Sequence, residues 1–334
     1  RGSLALATVA ALELTVIEQT LHARHRPPPG VQHAERPERL TAARKALEDS
    51  RVRTCWRAAG AAQYSHEAAL RAIAQVHTAE MLDEVQRLSR AHGGGFDSDT
   101  YCAPGSWEAQ LDGASAWMEA TALAGAGFGP ALSLCRPAGH HATRSSSMGF
   151  GLINFAAVAV RAYIGAQPEA RVAILDWDVH YGNGVADIFK DEPRVRYCSL
   201  HEAGGFPGSG MDEADRGPCD NLLRLPLPRG SGGEEFHAAL RGKALPFLLG
   251  ELAAGWAAPS LLLICAGFDA LEGDPLATMT MRPEDFRTAM KTIVAEFNMP
   301  REHIALGLEG GYNLDPEFGM PAALVAACDA LLLG

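Results

Sequence analysis

Five short runs of the chain are predominantly apolar: Ala131 to Cys135 (ALSLC), Val172 to Leu175 (VAIL), Val195 to Leu200 (VRYCSL), Leu261 to Cys265 (LLLIC) and Ile304 to Leu308 (IALGL). They are too short to be helices on their own, and continuous apolarity is the pattern of strands buried on both faces. Longer stretches with helical spacing lie between and around them, at Trp107 to Leu123, Asn154 to Ile164, Glu234 to Leu249, Pro283 to Phe297 and Pro316 to Leu332. Strands alternating with helices predict an α/β chain of three layers, with a central, mostly parallel sheet covered on both sides. Two helix starts are legible: Pro37 opens RPERLTAARKAL, and Thr280 or Arg282 precedes Pro283, with Glu284 and Asp285 in the first turn. The Gly- and Pro-rich segments at 26–30, 93–95, 204–210 and 229–233 read as surface loops, so one domain is expected over residues 1–334. No internal repeat divides it.

The polar residues just past each apolar run carry the chemistry. ALSLC leads into RPAGHH, ending at His140 and His141; VAIL leads into Asp176-Trp-Asp178-Val-His180; LLLIC leads into AGFDA with Asp269; IALGL leads into Glu309-Gly-Gly-Tyr312. In an open parallel sheet the carboxyl ends of the strands share one edge, and ligand sites form in the crevice there. Residues two apart in an extended segment point to the same side, so Asp178 and His180 can converge on one ion while Asp176 holds the loop. With Asp269 as the second carboxylate, the set describes a catalytic zinc site. A polar loop with satisfied hydrogen bonds reads the same way in so short a motif. The His pair taken alone is equally a structural feature, Asp269 a helix cap or turn residue, and Tyr312 a packing residue on a tight turn. Placed at the crevice, Tyr312 would offer a neutral phenol donor, suited to a developing oxyanion.

Composition narrows the partners. The chain has 334 residues, 47% of them apolar, and 29 Lys+Arg against 40 Asp+Glu give a net charge of −11. Such a surface repels phosphate backbones, which excludes a general nucleic-acid binder and favours basic peptides or polyamines. Seven cysteines form no CxxC pair, and an odd number cannot close entirely into intrachain disulfides, so reduced thiols are expected. No apolar stretch is long enough to span a membrane. A soluble intracellular protein is therefore expected, with the compartment open because the sequence begins at Arg1.

The segments RPAGHHATRSSSMGFGLINFAAVA, ILDWDVHYGNG, SLHEAGGFPGSG, LLLICAGFDALEGDPL and LGLEGGYN resemble, in order and spacing, the signature blocks of the zinc-dependent histone deacetylase and acetylpolyamine amidohydrolase superfamily. The resemblance runs from about Arg36 to the end. It implies the arginase/deacetylase-like fold, with one Zn²⁺ per chain held by Asp178, His180 and Asp269. The additional acidic and histidine blocks of two-manganese arginases are not visible. Two carboxylates cancel the metal charge, so a separate base is needed. The resemblance pairs His140 with Asp176 and His141 with Asn183. A carboxylate partner favours imidazolium at His140, and a neutral amide leaves His141 free to act as general base. Tyr312 is implied as the oxyanion donor.

The same resemblance implies that Phe150 and Phe206 line a narrow channel for lysine methylenes. The Gly151 carbonyl is expected near the amide nitrogen, and Asp99 at the rim, with Asp97 two residues away. Leu276 stands where an acidic gatekeeper marks acetylpolyamine deacetylases, so acetylated proteins or peptides are the expected substrates and acetylpolyamines the alternative. A potassium ion is implied beside the zinc, bound by Asp176, the carbonyls of Asp178, His180 and Leu200, and the Ser199 hydroxyl. Two positions depart from the pattern. Tyr181 replaces a second histidine, and Arg224 lies in a stretch, NLLRLPLP, that is otherwise apolar. Oligomeric state is not legible.

Overall fold

A computed structural model describes residues 12–333, apart from residue 61 and residues 252–255. Its centre is an eight-stranded sheet in which every pairing is parallel. In chain order the strands are β1 (Leu14–Glu18), β2 (Thr54–Ala58), a small antiparallel pair β3 (Gly94–Gly95) and β4 (Tyr101–Cys102) outside the sheet, β5 (Ala131–Leu134), β6 (Val172–Asp176), β7 (Val195–Glu202), β8 (Leu222–Leu227), β9 (Leu261–Ala266) and β10 (Ile304–Leu308). The spatial order is β2-β1-β5-β10-β9-β6-β7-β8.

The five expected strands are the five central ones, buried at every position. Side chains alternate across the sheet. Leu262, Ile264, Leu306 and Leu308 pack on one face, and Leu261, Leu263, Cys265 and Ala305 on the other. Helices Glu38–Asp49, Pro283–Glu296 and Met320–Leu333 cover the first face; His66–Val76, Ser106–Gly125 and Phe155–Ala166 cover the second. A Cβ on Gly307 would sit 2.0 Å from Trp117, so this central strand needs glycine for the tryptophan to lie against it. None of the described helices is long and apolar enough to cross a membrane.

Three strands of the sheet, β1, β2 and β8, lie outside the five short apolar runs. β2 and β8 are the edge strands, where mixed polarity is normal, and Pro226 is tolerated because one side of β8 is unpaired. Helix bounds agree closely with the spacing, with one correction: the final helix begins at Met320, not near Pro316. Asp315 Oδ1 accepts from the backbone N–H groups of Glu317 and Phe318, both at 2.9 Å, and holds that segment in a turn. Arg282, not Thr280, precedes the helix at Pro283, and its N–H is capped by Asp285 at 2.8 Å.

A buried ionic junction fixes the loops after β5 and β10. Glu35, Arg39 and Arg136 are all fully buried. Arg136, just past β5, donates from Nε to Glu35 Oε1 at 2.7 Å and from Nη2 to Glu35 Oε2 and the Tyr101 hydroxyl. Arg39 lies 3.5 Å from the same carboxylate and donates to the carbonyls of Glu309 and Gly311 past β10. One carboxylate thus links the histidine loop to the tyrosine loop. Burial opposes its charge, but the Arg136 guanidinium outweighs burial and lowers the Glu35 pKa from 4.5 to about 2. Glu35→Gln leaves two guanidiniums without their counter-charge and should lower stability by about 3–5 kcal/mol. Above pH 4.5 the carboxylate is charged in folded and unfolded chains alike, and its stabilisation is complete. As the pH falls from there toward about 2 the unfolded chain takes up the proton first and the contribution is lost. Denaturant titrations should therefore show the gap between wild type and Glu35→Gln narrowing below pH 4.5; a gap that widens there contradicts this account.

Candidate functional site

The polar clusters predicted at the strand ends do meet. Past β6, Asp178 and His180 leave the sheet, and past β9, Gly267 and Phe268 lead to Asp269. One donor atom from each of Asp178, His180 and Asp269 lies within 4.8 Å of the others. His180 Nδ1 is 3.2 Å from Asp178 Oδ1 and 3.1 Å from Asp269 Oδ2. The remaining carboxylate oxygens are fixed by backbone donors: Gly310 N–H to Asp178 Oδ2 at 2.8 Å and Val179 N–H to Asp269 Oδ1 at 2.9 Å. A Cβ at Gly267 would lie 2.2 Å from Asp178 Oδ2, and one at Gly310 would lie 2.1 Å from Asp269 Oδ2, so the carboxylates occupy space that only glycine leaves free. Two buried carboxylates and an imidazole, with no guanidinium or ammonium group among the described residues bonded to them, fit a divalent cation. The His180 pKa points the same way. Burial lowers it, but the hydrogen bonds from Asp178 and Asp269 prevail and raise it well above its ordinary value.

The histidine pair lies beside this cluster, with ring centroids 4.0 Å apart. His140 Nδ1 meets Asp176 Oδ2 at 3.0 Å, and His141 Nδ1 meets Asn183 Oδ1 at 2.8 Å, the expected pairing. Asp176 also accepts from the Tyr197 hydroxyl at 2.7 Å and from Asp178 N–H at 3.1 Å. Burial works against a charge on His140, but the carboxylates of Asp178 and Asp176 prevail and raise its pKa to about 10. Burial, then the neighbouring imidazoles of His140 and His180, hold His141 well below its ordinary value. Glu309 Oε2 accepts from the backbone N–H groups of Gly139 at 2.6 Å and His140 at 3.2 Å, which ties the histidine loop to β10.

Tyr312 completes the ring of polar groups. Asp274 Oδ2 accepts from its backbone N–H at 2.7 Å, and the Arg39 guanidinium stacks 4.7 Å from its ring centroid. Burial raises its phenol pKa well above the ordinary value, so the hydroxyl is a donor at neutral pH.

A cavity of about 260 Å³ runs from the surface to His140, His141, His180 and Tyr312. Phe150 and Phe206 form its walls; the Phe150 ring meets Tyr312 edge-on at 5.6 Å and Phe206 meets His141 at 4.8 Å. Leu276, 40% exposed, stands at the mouth. Asp97, Ser98 and Asp99 also line it. Asp97 is committed to its own turn, accepting from Asp99 N–H at 2.9 Å and from Thr100, whereas the Asp99 carboxylate bonds only to Ser98 at 3.2 Å. One expectation needs correction. Gly149, not Gly151, lines the cavity, and the Gly151 carbonyl accepts from Met148 N–H at 3.0 Å. A Cβ on Gly149 would sit 2.5 Å from His141. A larger open groove of about 900 Å³, formed mainly by residues 26–38, adjoins the mouth but shares only Tyr312 with the polar cluster.

Of the expected potassium set, Asp176 and Ser199 are direct neighbours across β6 and β7, and Leu200 is buried beside them. The Ser199 hydroxyl contacts His201 Nδ1 at 2.9 Å. Sequence reasoning misses Glu35, Arg39, Arg136 and Asp274 as site residues, since each acts through partners remote in sequence. The one local signal is Arg136, a cation immediately past a buried strand.

The histone deacetylase domain family matches residues 33–327. A histone deacetylase-like amidohydrolase of Pseudomonas aeruginosa is 35% identical over 294 residues, 86% of this chain and 74% of its own length. An acetylpolyamine amidohydrolase of Mycoplana ramosa is 33% identical over 233 residues, 68% of this chain and 64% of its own. The crystal structure of the HDA15 HD domain superposes with a TM-score of 0.81 at 29% identity, covering 96% of this chain and 88% of that one.

Gly267→Ala and Gly310→Ala each drive a methyl group into the carboxylate cluster. Elemental analysis of the folded variants after metal supplementation should show divalent-metal affinity reduced by about tenfold or more. Wild-type metal content in both would remove these residues from the cation site.

Proposed function

The chain belongs to the histone deacetylase domain family, and from that membership we propose that it is a zinc-dependent lysine deacetylase, hydrolysing acetyl-lysine side-chain amides of proteins or peptides to acetate and free lysine. The observation that carries this reading is the form of the cavity: a narrow, phenyl-walled passage ending on a histidine pair, a phenol and an Asp/His/Asp cluster. Two facing rings suit a thin methylene chain, and the polar floor suits the amide at its tip.

Asp178, His180 and Asp269 would hold the zinc. When bound, it supplies Lewis-acid polarisation of the amide carbonyl and acidifies water. His141, kept neutral by burial and by the neighbouring imidazoles of His140 and His180 and oriented by Asn183, takes the proton of the attacking water as its oxygen bonds to the carbonyl carbon. It then returns that proton to the lysine nitrogen as the carbon–nitrogen bond breaks. His140, charged through Asp176, stabilises negative charge developing beside it. The Tyr312 hydroxyl donates to the developing oxyanion. At the mouth, Asp99 has a carboxylate free to accept from substrate backbone N–H groups. Gly149 gives the backbone the close approach expected of Gly151.

We likewise propose a potassium ion held by Asp176, the Ser199 hydroxyl and the carbonyls of Asp178, His180 and Leu200. Burial lowers the His201 pKa to about 4, so its ring is neutral. With Nε2–H donating to the Gly210 carbonyl at 3.0 Å, Nδ1 accepts from Ser199, whose oxygen lone pairs stay available to a cation.

Acetylpolyamine hydrolysis by the same groups is the second reading. It is favoured by the likeness to the Mycoplana ramosa amidohydrolase and by the net charge of −11, which attracts polycations. Leu276 argues against it, since an apolar side chain at that position offers no counter-charge to a secondary ammonium and leaves Asp97 and Asp99 as the acidic groups at the mouth. Parallel rates on an acetyl-lysine peptide and acetylspermidine should favour the peptide, and a large preference for the amine would reverse the assignment. Tyr312→Phe should reduce kcat by about 10²–10³-fold with the fold intact. Chelation should abolish turnover, and zinc restore it. A metal-loaded wild-type protein that releases no acetate from any acyl amide would overturn the reading.

A further inference from the structure

Tyr181 and Arg224, the two departures from the resemblance, touch one another although 43 residues apart. Arg224 Nε donates to the Tyr181 hydroxyl at 2.8 Å, with the guanidinium 5.7 Å from the ring centroid. The same guanidinium donates to the Asp215 carbonyl and lies 3.2 Å from the Asp215 carboxylate. Tyr181 is only 4% exposed. Its ring packs on Gly210 so closely that a Cβ there would sit 2.5 Å away. His201, its ring 4.9 Å from that of Tyr181, binds the Gly210 carbonyl.

These contacts fall on the connection between β7 and β8, which runs beside the cavity. Residues 203–221 join β7 to β8 without helix or strand, and most of their hydrogen bonds stay within a few residues. The connection carries Phe206, which is 44% exposed and reaches His141 from that side. Its Glu213–Lys243 pair is exposed on both sides and adds little. In mid-segment the Gly210 carbonyl is held by His201 and Arg216 stacks on Phe247, while Gly210 itself packs on Tyr181 and Asp215 bonds to Arg224, two contacts that share one hydrogen-bonded pair.

We propose that Tyr181 and Arg224 are a linked pair of positioning residues that hold the 203–221 connection, and with it Phe206, at the channel width the acyl-lysine side chain requires. This rests on the proposed function for the substrate but not for the clamp itself. Tyr181→Phe removes only the phenol oxygen; Arg224→Met removes the guanidinium and refills much of its space. Hydrogen–deuterium exchange of residues 203–221 should rise in each. KM for an acetyl-lysine peptide should rise about fivefold, with kcat within about twofold of wild type. The double variant should match Arg224→Met, because once the guanidinium is gone the phenol has lost its partner and its removal costs nothing further. Unchanged exchange, additive effects in the double variant, or a fall in kcat at constant KM would overturn the proposal. Where Arg224→Met does not fold, Arg224→Lys keeps the charge without the planar fork, and the same readouts decide. Exchange is read with or without turnover, so a protein inactive on every acyl amide refutes the functional reading, whereas unchanged exchange refutes the clamp.

Discussion

Four carboxylates, Asp176, Asp178, Asp269 and Glu309, are buried at neighbouring strand ends, and among the described residues no guanidinium or ammonium group donates to any of them. Their hydrogen-bond partners are imidazoles, a phenol and backbone N–H groups. Negative charge concentrated away from water is costly unless it is answered, and the arrangement leaves that answer to a cation and to protonated histidine. The parallel sheet supplies the backbone donors, and glycines at 267 and 310 give the carboxylates room to close on one point. Glu35 shows the contrast. It is equally buried, but two arginines meet it, and its role is structural.

The central strands are legible in the sequence because burial on both faces leaves a continuous apolar signature. β2 and β8 are not, because an edge strand carries polar residues such as Arg57 and Arg224. β1 sits in a long apolar stretch with no turn residue to mark its start. The site is legible where motif and strand end coincide, as at Asp178, His180 and Tyr312. Assigning His141 to Asn183 needs the family resemblance, since nothing local pairs residues 42 apart. The exchange of Gly149 for Gly151 has the same cause: MGFG offers two glycines, and only folded geometry says which one faces the cavity. Arg39 reaches Gly311 across 272 residues, a contact no spacing rule anticipates.

The channel has two walls of different construction. Phe150 stands on a segment tied into the core: its N–H bonds to Thr100 Oγ1 at 3.0 Å and its ring abuts Tyr312. Phe206 stands on an irregular connection held by side chains. One wall thus depends on the packed core and the other on side-chain contacts made by a loop.

The strand order has a consequence for assembly. β10, the last strand of the sheet in sequence, occupies its middle, between β5 with the histidine loop and β9 with Asp269. Every earlier strand can be made, and the two halves of the sheet remain apart until residues 304–308 are inserted. During synthesis the complete polar cluster therefore cannot form before β10 is made. Asp178, His180 and Asp269 lie past the paired strands β6 and β9, and the histidine loop past β5 is brought beside them only by β10, a late, long-range step.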